Sequence, residues 1–340
     1  MTRQILNTLF VQTQGAYLRL DHETLCVEVE GEKRFQVPLH HLGGLVLFGN
    51  VLISPFLLHR CARDGRDVVW FTSYGAFQGR LAGPVSGNVL LRRAQNEALN
   101  HTQRTLCLSS RFVQGKIKNT QQVLQRATRE NQSIANTLLQ AIETMKWART
   151  ELQHATDLDS IRGIEGQAAS VYFQVFPALI RSKDFSFEGR NKRPPRDPTN
   201  ALLSFVYTLV KNDCVSALEG VGLDPQIGYL HTLRPGRPAL ALDLMEEFRS
   251  WWADRLVLSL INRRQIKGYH FEMHSGGAVY LNETGRREVL TAYQKRKQET
   301  VKHRLFKESI PIGLLPYTQA RILARYLRQD LDQYQPFYAR

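Results

Sequence analysis

Apolar and polar positions change rhythm once along the chain. In the first ninety residues, short β-branched and aromatic runs (ILNTLFV, AYLRL, LCVEVEG, RFQVPL) are divided by Gly, Asp-His and Glu-Gly-Glu turns and predict strands. Cys26, Val27 and Val29 with Glu28 and Glu30 follow the two-residue period of a half-exposed strand. LVLFG reads as a buried strand. SPFLLHRCARDG predicts a short helix, with Ser54 as N-cap, Pro55 at its first position and Gly65 as stop. DVVWFT and FQGRLAG return to strand. After Gly87 the period lengthens, and Leu91 to about Lys146 is rich in Gln, Arg, Ala and Leu with few breakers, which predicts helix. Helix continues through DSIRGIEGQAASVYFQVFPALI, with Asp159 or Ser160 as cap, and again behind an Asp197 cap with Pro198 at its first position. Arg286–Lys307 also follows helical spacing. The pattern predicts an α+β chain: a small β-rich, sandwich-like domain over residues 1–90 and a larger all-α domain over 91–340.

Charge changes the picture most. The 340 residues carry a formal net charge of +14. Residues 1–95 hold 10 Lys/Arg against 7 Asp/Glu, and the rest holds 35 against 24, so the helical part is where a polyanion should bind. Arg286–Lys307 alone has 8 basic and 2 acidic residues. Cys26, Cys61, Cys107 and Cys214 form no CxxC pair and read as buried free thiols of a reducing cytoplasm. The N-terminus lacks the apolar core of a signal peptide. The most apolar window, LGGLVLFGNVLISPFLL, is too interrupted to cross a membrane. The expected setting is cytoplasmic, without a membrane.

Three helical-part segments carry candidate chemistry. In IRGIEGQAASVYF, Glu165 lies between glycines among small and apolar residues, where a carboxylate must be paired, neutral or metal-bound. Gly163 and Gly166 weaken a helix by up to about 1 kcal/mol each, a cost that signals close approach of a backbone or ligand. His231 ends an apolar segment before a basic loop. In ALALDLMEEFR, Asp243 and Glu246 are three apart and share a helix face, where two carboxylates need a cation or basic partner between them. Each has a plainer reading: an ion-paired Glu, a structural His, an exposed acidic face. Together, one imidazole and two or three carboxylates form a mixed N/O set suited to Mg²⁺ or Mn²⁺ more than zinc. Such a site in a basic protein points to metal-dependent phosphodiester chemistry.

With the segments RNKRPPRDPTNALLSFVYTLV, GLDPQIGYLH and RPALALDLMEEFR beside the first, in that order, the chain resembles CRISPR-associated protein one, and most the variant of type I-C systems. RFVQGKIKN and the β-rich start agree. The resemblance implies a β domain joined to a helical catalytic domain. It implies Glu165, His231 and Glu246 as metal ligands, Asp243 as a further acidic position, and Mg²⁺ or Mn²⁺ as cofactor. The last ligand is Asp in some members. The implied reaction is transesterification, the 3′-OH of a captured double-stranded DNA fragment attacking the leader–repeat junction, with DNA cleavage at the same site. Implied partners are a second copy through the β domains, CRISPR-associated protein two in a heterohexamer, and CRISPR-associated protein four.

Arg190, Lys192, Arg193, Arg196, Arg234 and Arg237 are candidate phosphate contacts, with a solvated basic face as the plainer reading. Asn200 and Ser204 are candidates for orienting a carboxylate or phosphate, or for local backbone bonding. Tyr172 and Trp251 are read as core before base-stacking. Glu247 is expected to face solvent or a helix-terminal partner. Two rivals stay open: a non-catalytic DNA-binding scaffold, against which the complete Glu/His/Asp/Glu set argues, and a branched-DNA repair nuclease without an integration role.

Overall fold

The structure is a computed structural model that describes residues 7–83 and 89–339; the change of texture at Gly87 lies outside them. The N-terminal part runs β1 (Thr8–Val11), β2 (Tyr17–Asp21), β3 (Thr24–Val29), β4 (Glu32–Pro38), β5 (Gly44–Phe48), β6 (Leu52–Ile53), α1 (Pro55–Arg63), β7 (Asp67–Phe71) and β8 (Phe77–Arg80). Two four-stranded sheets form, ordered β1-β5-β7-β8 and β4-β3-β2-β6. Leu45, Leu47 and Val68 pack on Leu18 and Leu25 of the second sheet and on Leu57 and Cys61 of α1. The other face of the first sheet, Phe48, Val69 and Phe71, enters the helical core. Cover on both faces explains why LVLFG and VVWF are unbroken apolar runs and why β1, β5 and β7 pair in parallel. Ser54 caps α1 as expected, its Oγ accepting from the Leu57 amide. The alternation expected at 26–30 is broken: Leu25, Cys26 and Val27 are all buried, Glu28 and Val29 are half-buried, and the pairing with β4 shifts register after Val27.

The helical part runs α2 (Val89–Asn100), α3 (Thr102–Glu130), α4 (Ala135–Glu151), α5 (Leu158–Val175), α6 (Pro198–Val221), α7 (Ala239–Met245), a π-helical turn (Arg249–Asp254) and α8 (Arg255–Asn262). Then come a hairpin of β9 (Phe271–Met273) and β10 (Val279–Leu281), helix α9 (Glu283–Gln298), a hairpin of β11 (Thr300–Lys302) and β12 (Ser309–Pro311), and α10 (Leu315–Leu327). So the second part is not all-α. Nor is Arg286–Lys307 one helix: Glu299 turns extended, and Thr300–Lys302 pairs with Ser309–Pro311. The cap of α5 is Asp157, whose carboxylate accepts from the Ser160 amide at 2.8 Å, and not Asp159 or Ser160. Asp197 caps α6 as its sequence suggests, accepting from the Asn200 amide at 2.8 Å. Helix α6 has the length and apolarity of a membrane span, but most of that stretch is buried in the core. It packs on α7 and α10, while α3 packs on α4, α5 and the π-helical turn, so α3, α5 and the Ala239–Asp254 segment meet at one place.

Candidate active site

At that meeting point the chain closes a loop on itself. Gly228 precedes three amides that turn toward α7: Tyr229 N, Leu230 N and His231 N donate to the Asp243 carboxylate at 2.6, 3.0 and 2.9 Å. Only glycine fits before them, since a Cβ there would lie 2.6 Å from the Ala239 carbonyl carbon and 2.8 Å from Asp243 Oδ2. His231 Nδ1 completes the set, 2.7 Å from Asp243 Oδ1. Asp243 is fully buried. Its acceptor capacity is used on this loop, so its part in the site is to hold His231. The contact leaves Nε2 facing Glu246, 4.0 Å from Oε1. What lies between the two carboxylates three apart is therefore the His231 ring.

Glu246 is 2% exposed at the end of α7. Its Oε1 accepts from Arg249 at 2.8 Å, and its Oε2 lies 2.7 Å from the Lys116 ammonium of α3 without a well-directed hydrogen bond. Lys116 also donates a short hydrogen bond to Glu165 of α5. Burial alone would raise the Glu246 carboxyl, but Arg249, Lys116 and His231 hold it well below the ordinary carboxylate range. Gly115 lets α3 come this close: a Cβ there would stand 3.1 Å from Glu247 Cγ. Arg162, one turn before Glu165, donates to the Leu230 carbonyl at 2.9 Å and ties α5 to the His231 loop.

Among the described residues, no three His, Cys, Asp or Glu side chains converge as a metal-ligating group in their present arrangement. Instead, two carboxylates meet on one cation, the Lys116 ammonium. The donor set nevertheless fits a hard divalent ion: Glu165 and Glu246 already share a positive charge, Glu246 keeps an oxygen without an aligned donor, and His231 offers Nε2 with Nδ1 held by a carboxylate, the usual outer-shell arrangement of a ligating imidazole.

The other predicted residues divide. Lys192, Arg193, Arg196 and Arg234 are exposed, and Arg237 is half-buried with a long bond to the Thr232 carbonyl. Partial desolvation lowers the Lys192 ammonium, and the positive charges of Arg249, Arg190, Arg193 and Arg237 lower it further. Arg190 and Arg249 lie over the same Tyr207 ring, which brings the 190 loop near the Arg249–Glu246 pair. Arg190 is turned inward. It donates to Asn200 Oδ1 at 2.6 Å and to Ser204 Oγ at 3.0 Å and lies over the Tyr207 ring. Asn200 and Ser204 thus hold that arginine. Tyr172 and Trp251 are core residues. Gly163 and Gly166 face open space among the described residues, so the close approach of another backbone expected there is not found. Glu247 does not face solvent; it is fully buried and accepts from Tyr334 OH, from the Phe337 amide at 2.6 Å and from Gln319 at 2.9 Å, anchoring the C-terminal segment. Burial pushes its carboxyl up to about 8 despite these donors.

Lys116, Arg162 and Arg249 were not legible as site residues. Lys116 had a signal of the kind that marked Glu165: a charge inside the apolar run RFVQGKI.

The family described as CRISPR associated protein Cas1 matches residues 9–295. The CRISPR-associated endonuclease Cas1 1 of Moorella thermoacetica is 51% identical over 340 residues, covering 99% of both chains. That of Chlorobaculum tepidum is 48% identical over 336 residues, covering 98% of both. A Cas4 exonuclease/Cas1 endonuclease fusion of Geobacter sulfurreducens is 35% identical over 98% of this chain and 60% of its own. Three solved structures share the fold. The Cas1 protein of Thermotoga maritima has a TM-score of 0.81 at 23% identity, covering 94% of this chain and 96% of its own. A casposase bound to integration product has 0.85 at 21%, covering 96% and 92%. A chain of a Cas6-RT-Cas1–Cas2 complex has 0.84 at 22%, covering 99% and 37%.

Proposed function

The chain belongs to the Cas1 family of CRISPR-associated proteins, and on that footing we propose that it is a Mg²⁺- or Mn²⁺-dependent DNA endonuclease and integrase of CRISPR adaptation. The observation that carries the reading is the convergence of Glu165, Glu246 and the Asp243-held His231 near a loop that exposes Lys192, Arg193 and Arg196. Relatives of nearly full coverage are named endonucleases, and a casposase bound to integration product has the same fold.

Glu165, His231 and Glu246 would hold the metal, whose chemistry is to polarise the scissile phosphate and acidify the attacking hydroxyl. Asp243 keeps the His231 imidazole in the tautomer whose Nε2 is free. Arg249 and Lys192 offset negative charge on the phosphoryl group as it becomes five-coordinate. Lys192, Arg193, Arg196, Arg234 and Arg237 hold the flanking phosphates, which positions DNA without reading bases. When the nucleophile is the 3′-OH of a captured fragment, one P–O bond forms as another breaks, so joining needs no energy source. When it is water, the same groups cleave DNA.

The reading extends to a homodimer through the β-rich domains, two of which flank a Cas2 dimer, in the cytoplasm. One fold relative is part of a Cas6-RT-Cas1–Cas2 complex and another relative is a Cas4–Cas1 fusion, which supports Cas2 and Cas4 as partners. The type I-C placement rests on motif wording, and the genes beside this one test it.

The test is strand transfer of a 3′-OH fragment into a leader–repeat duplex with Mn²⁺, with and without Cas2. Glu165→Ala and His231→Ala should each abolish joining, a loss of at least ~10³-fold for a ligand of the catalytic ion, while DNA affinity stays near that of the unmodified chain. Joining by both variants would sink the site. Tight DNA binding without joining by the unmodified protein favours a scaffold, and cleavage of branched DNA without Cas2-dependent joining favours a repair nuclease.

A further inference from the structure

Asp254 is 2% exposed, and no step of the proposed reaction uses it. Resting on the metal-dependent reading of the site, we propose that Asp254 is a positioning residue for Glu246, acting through Arg249 to keep the Glu246 carboxylate available to the divalent ion.

The backbone brings the two together by an unusual turn. In an α-helix, residues five apart stand about 140° apart around the axis. Arg249–Asp254 is instead π-helical, with the Ala253 amide reaching the Phe248 carbonyl and the Arg255 amide the Ser250 carbonyl. That wider turn sets Arg249 and Asp254 on the same side, and such turns recur at functional sites.

The side chains form one buried network. Tyr207 OH of α6 donates to Asp254 Oδ1 at 2.5 Å, and Tyr172 OH of α5 donates to Oδ2 at 3.0 Å. Tyr172 stands two turns beyond Glu165 on the same helix, so Asp254 also ties the Glu165 helix to α6. The Arg249 guanidinium lies 4.8 Å from the Tyr207 ring centroid, within electrostatic reach of Asp254, and donates to Glu246 Oε1 at 2.8 Å. Two carboxylates therefore draw on one guanidinium, Glu246 by a direct hydrogen bond and Asp254 through space beside the Tyr207 it shares with Arg249, in an interior where charge interactions are strong. With Asp254 ionised, the Arg249 charge is divided and Glu246 can share itself with a second cation. With Asp254 neutral, that charge falls undivided on Glu246 and competes with the metal.

The experiment is Mn²⁺ binding to the full-length, DNA-free protein by titration calorimetry, with thermal unfolding recorded for each variant. Asp254→Asn should weaken Mn²⁺ binding about tenfold, the lower end for an outer-shell group. Asp254→Glu, which restores the charge, should recover most of the loss. Tyr207→Phe keeps the charge and removes one hydrogen bond, so its Mn²⁺ affinity should be at or above that of the unmodified chain. Unchanged Mn²⁺ affinity in Asp254→Asn with a lowered Tm, or equal losses in Tyr207→Phe and Asp254→Asn, makes Asp254 structural only and overturns the proposal; the Tyr207→Phe arm decides it should Asp254→Asn not fold. Mn²⁺ binding that survives Glu246→Ala overturns the metal reading itself, and this proposal with it.

Discussion

His231 Nδ1 and Asp243 Oδ1 stand 2.7 Å apart, and this contact decides which ring nitrogen faces Glu246. The same carboxylate gathers three consecutive backbone amides, so ring orientation and loop shape depend on one group.

Asp243→Asn therefore acts on both. An amide offers one acceptor oxygen where the carboxylate offers two, so at least one buried donor loses its partner, a cost of about 1–3 kcal/mol. Mn²⁺ affinity should fall by roughly 10- to 100-fold as His231 loses its orienting partner. Urea unfolding and calorimetry measure the two; an unchanged Mn²⁺ affinity would show that Asp243 does not set the imidazole.

Lys116→Met removes the cation between Glu165 and Glu246. The metal-free protein should lose about 3–5 kcal/mol, as when one partner of a buried ion pair is deleted. Added Mn²⁺ should raise Tm more in this variant than in the unmodified chain, because the metal then supplies the missing charge. Thermal scans with and without Mn²⁺ check this, and an equal rise in both would argue against a shared position.

Lys192→Ala and Arg193→Ala should each lower the slope of log affinity against log salt by about one while leaving Tm unchanged. Arg190→Ala should do the reverse, lowering Tm because Asn200, Ser204 and Tyr207 lose their common partner. Salt titration of duplex binding separates the two sets.

His303 gives a pH dependence of known sign. Burial lowers its imidazole below 6.5, more than its bond to Gln319 raises it, so folding favours the neutral ring. Below 6.5 the unfolded chain binds more protons than the folded one. Stability should be full above that pH and decline as pH falls through the folded value. His303→Gln should flatten this part of the Tm profile; an unaltered profile would assign it to other groups.

Glu165, His231 and Glu246 could be named as candidates because Glu165 in a small-residue run and two acids three apart conflict with their local patterns, and because the order of the motifs around them carries the family resemblance; their convergence could not be read. The caps of α1 and α6 and the buried strand LVLFG were legible because they depend on near neighbours in the chain. The β9–β10 and β11–β12 hairpins were not, since three-residue strands leave almost no periodic signal.

By itself, then, the sequence determined the β-rich start, the larger helical part and its basic character through local spacing and charge, and through motif resemblance it named three candidate side chains of the site. Only the tertiary structure decided how they are used. It brought Lys116 from 49 residues before Glu165 to lie between two carboxylates. It turned Arg190 and Glu247 inward, and it spent Asp243 on the His231 loop. The π-helical turn put Arg249 and Asp254 on one side. These are choices of hydrogen-bond and charge partners far apart in the chain, settled by which groups are buried together, and spacing along a sequence carries no record of that.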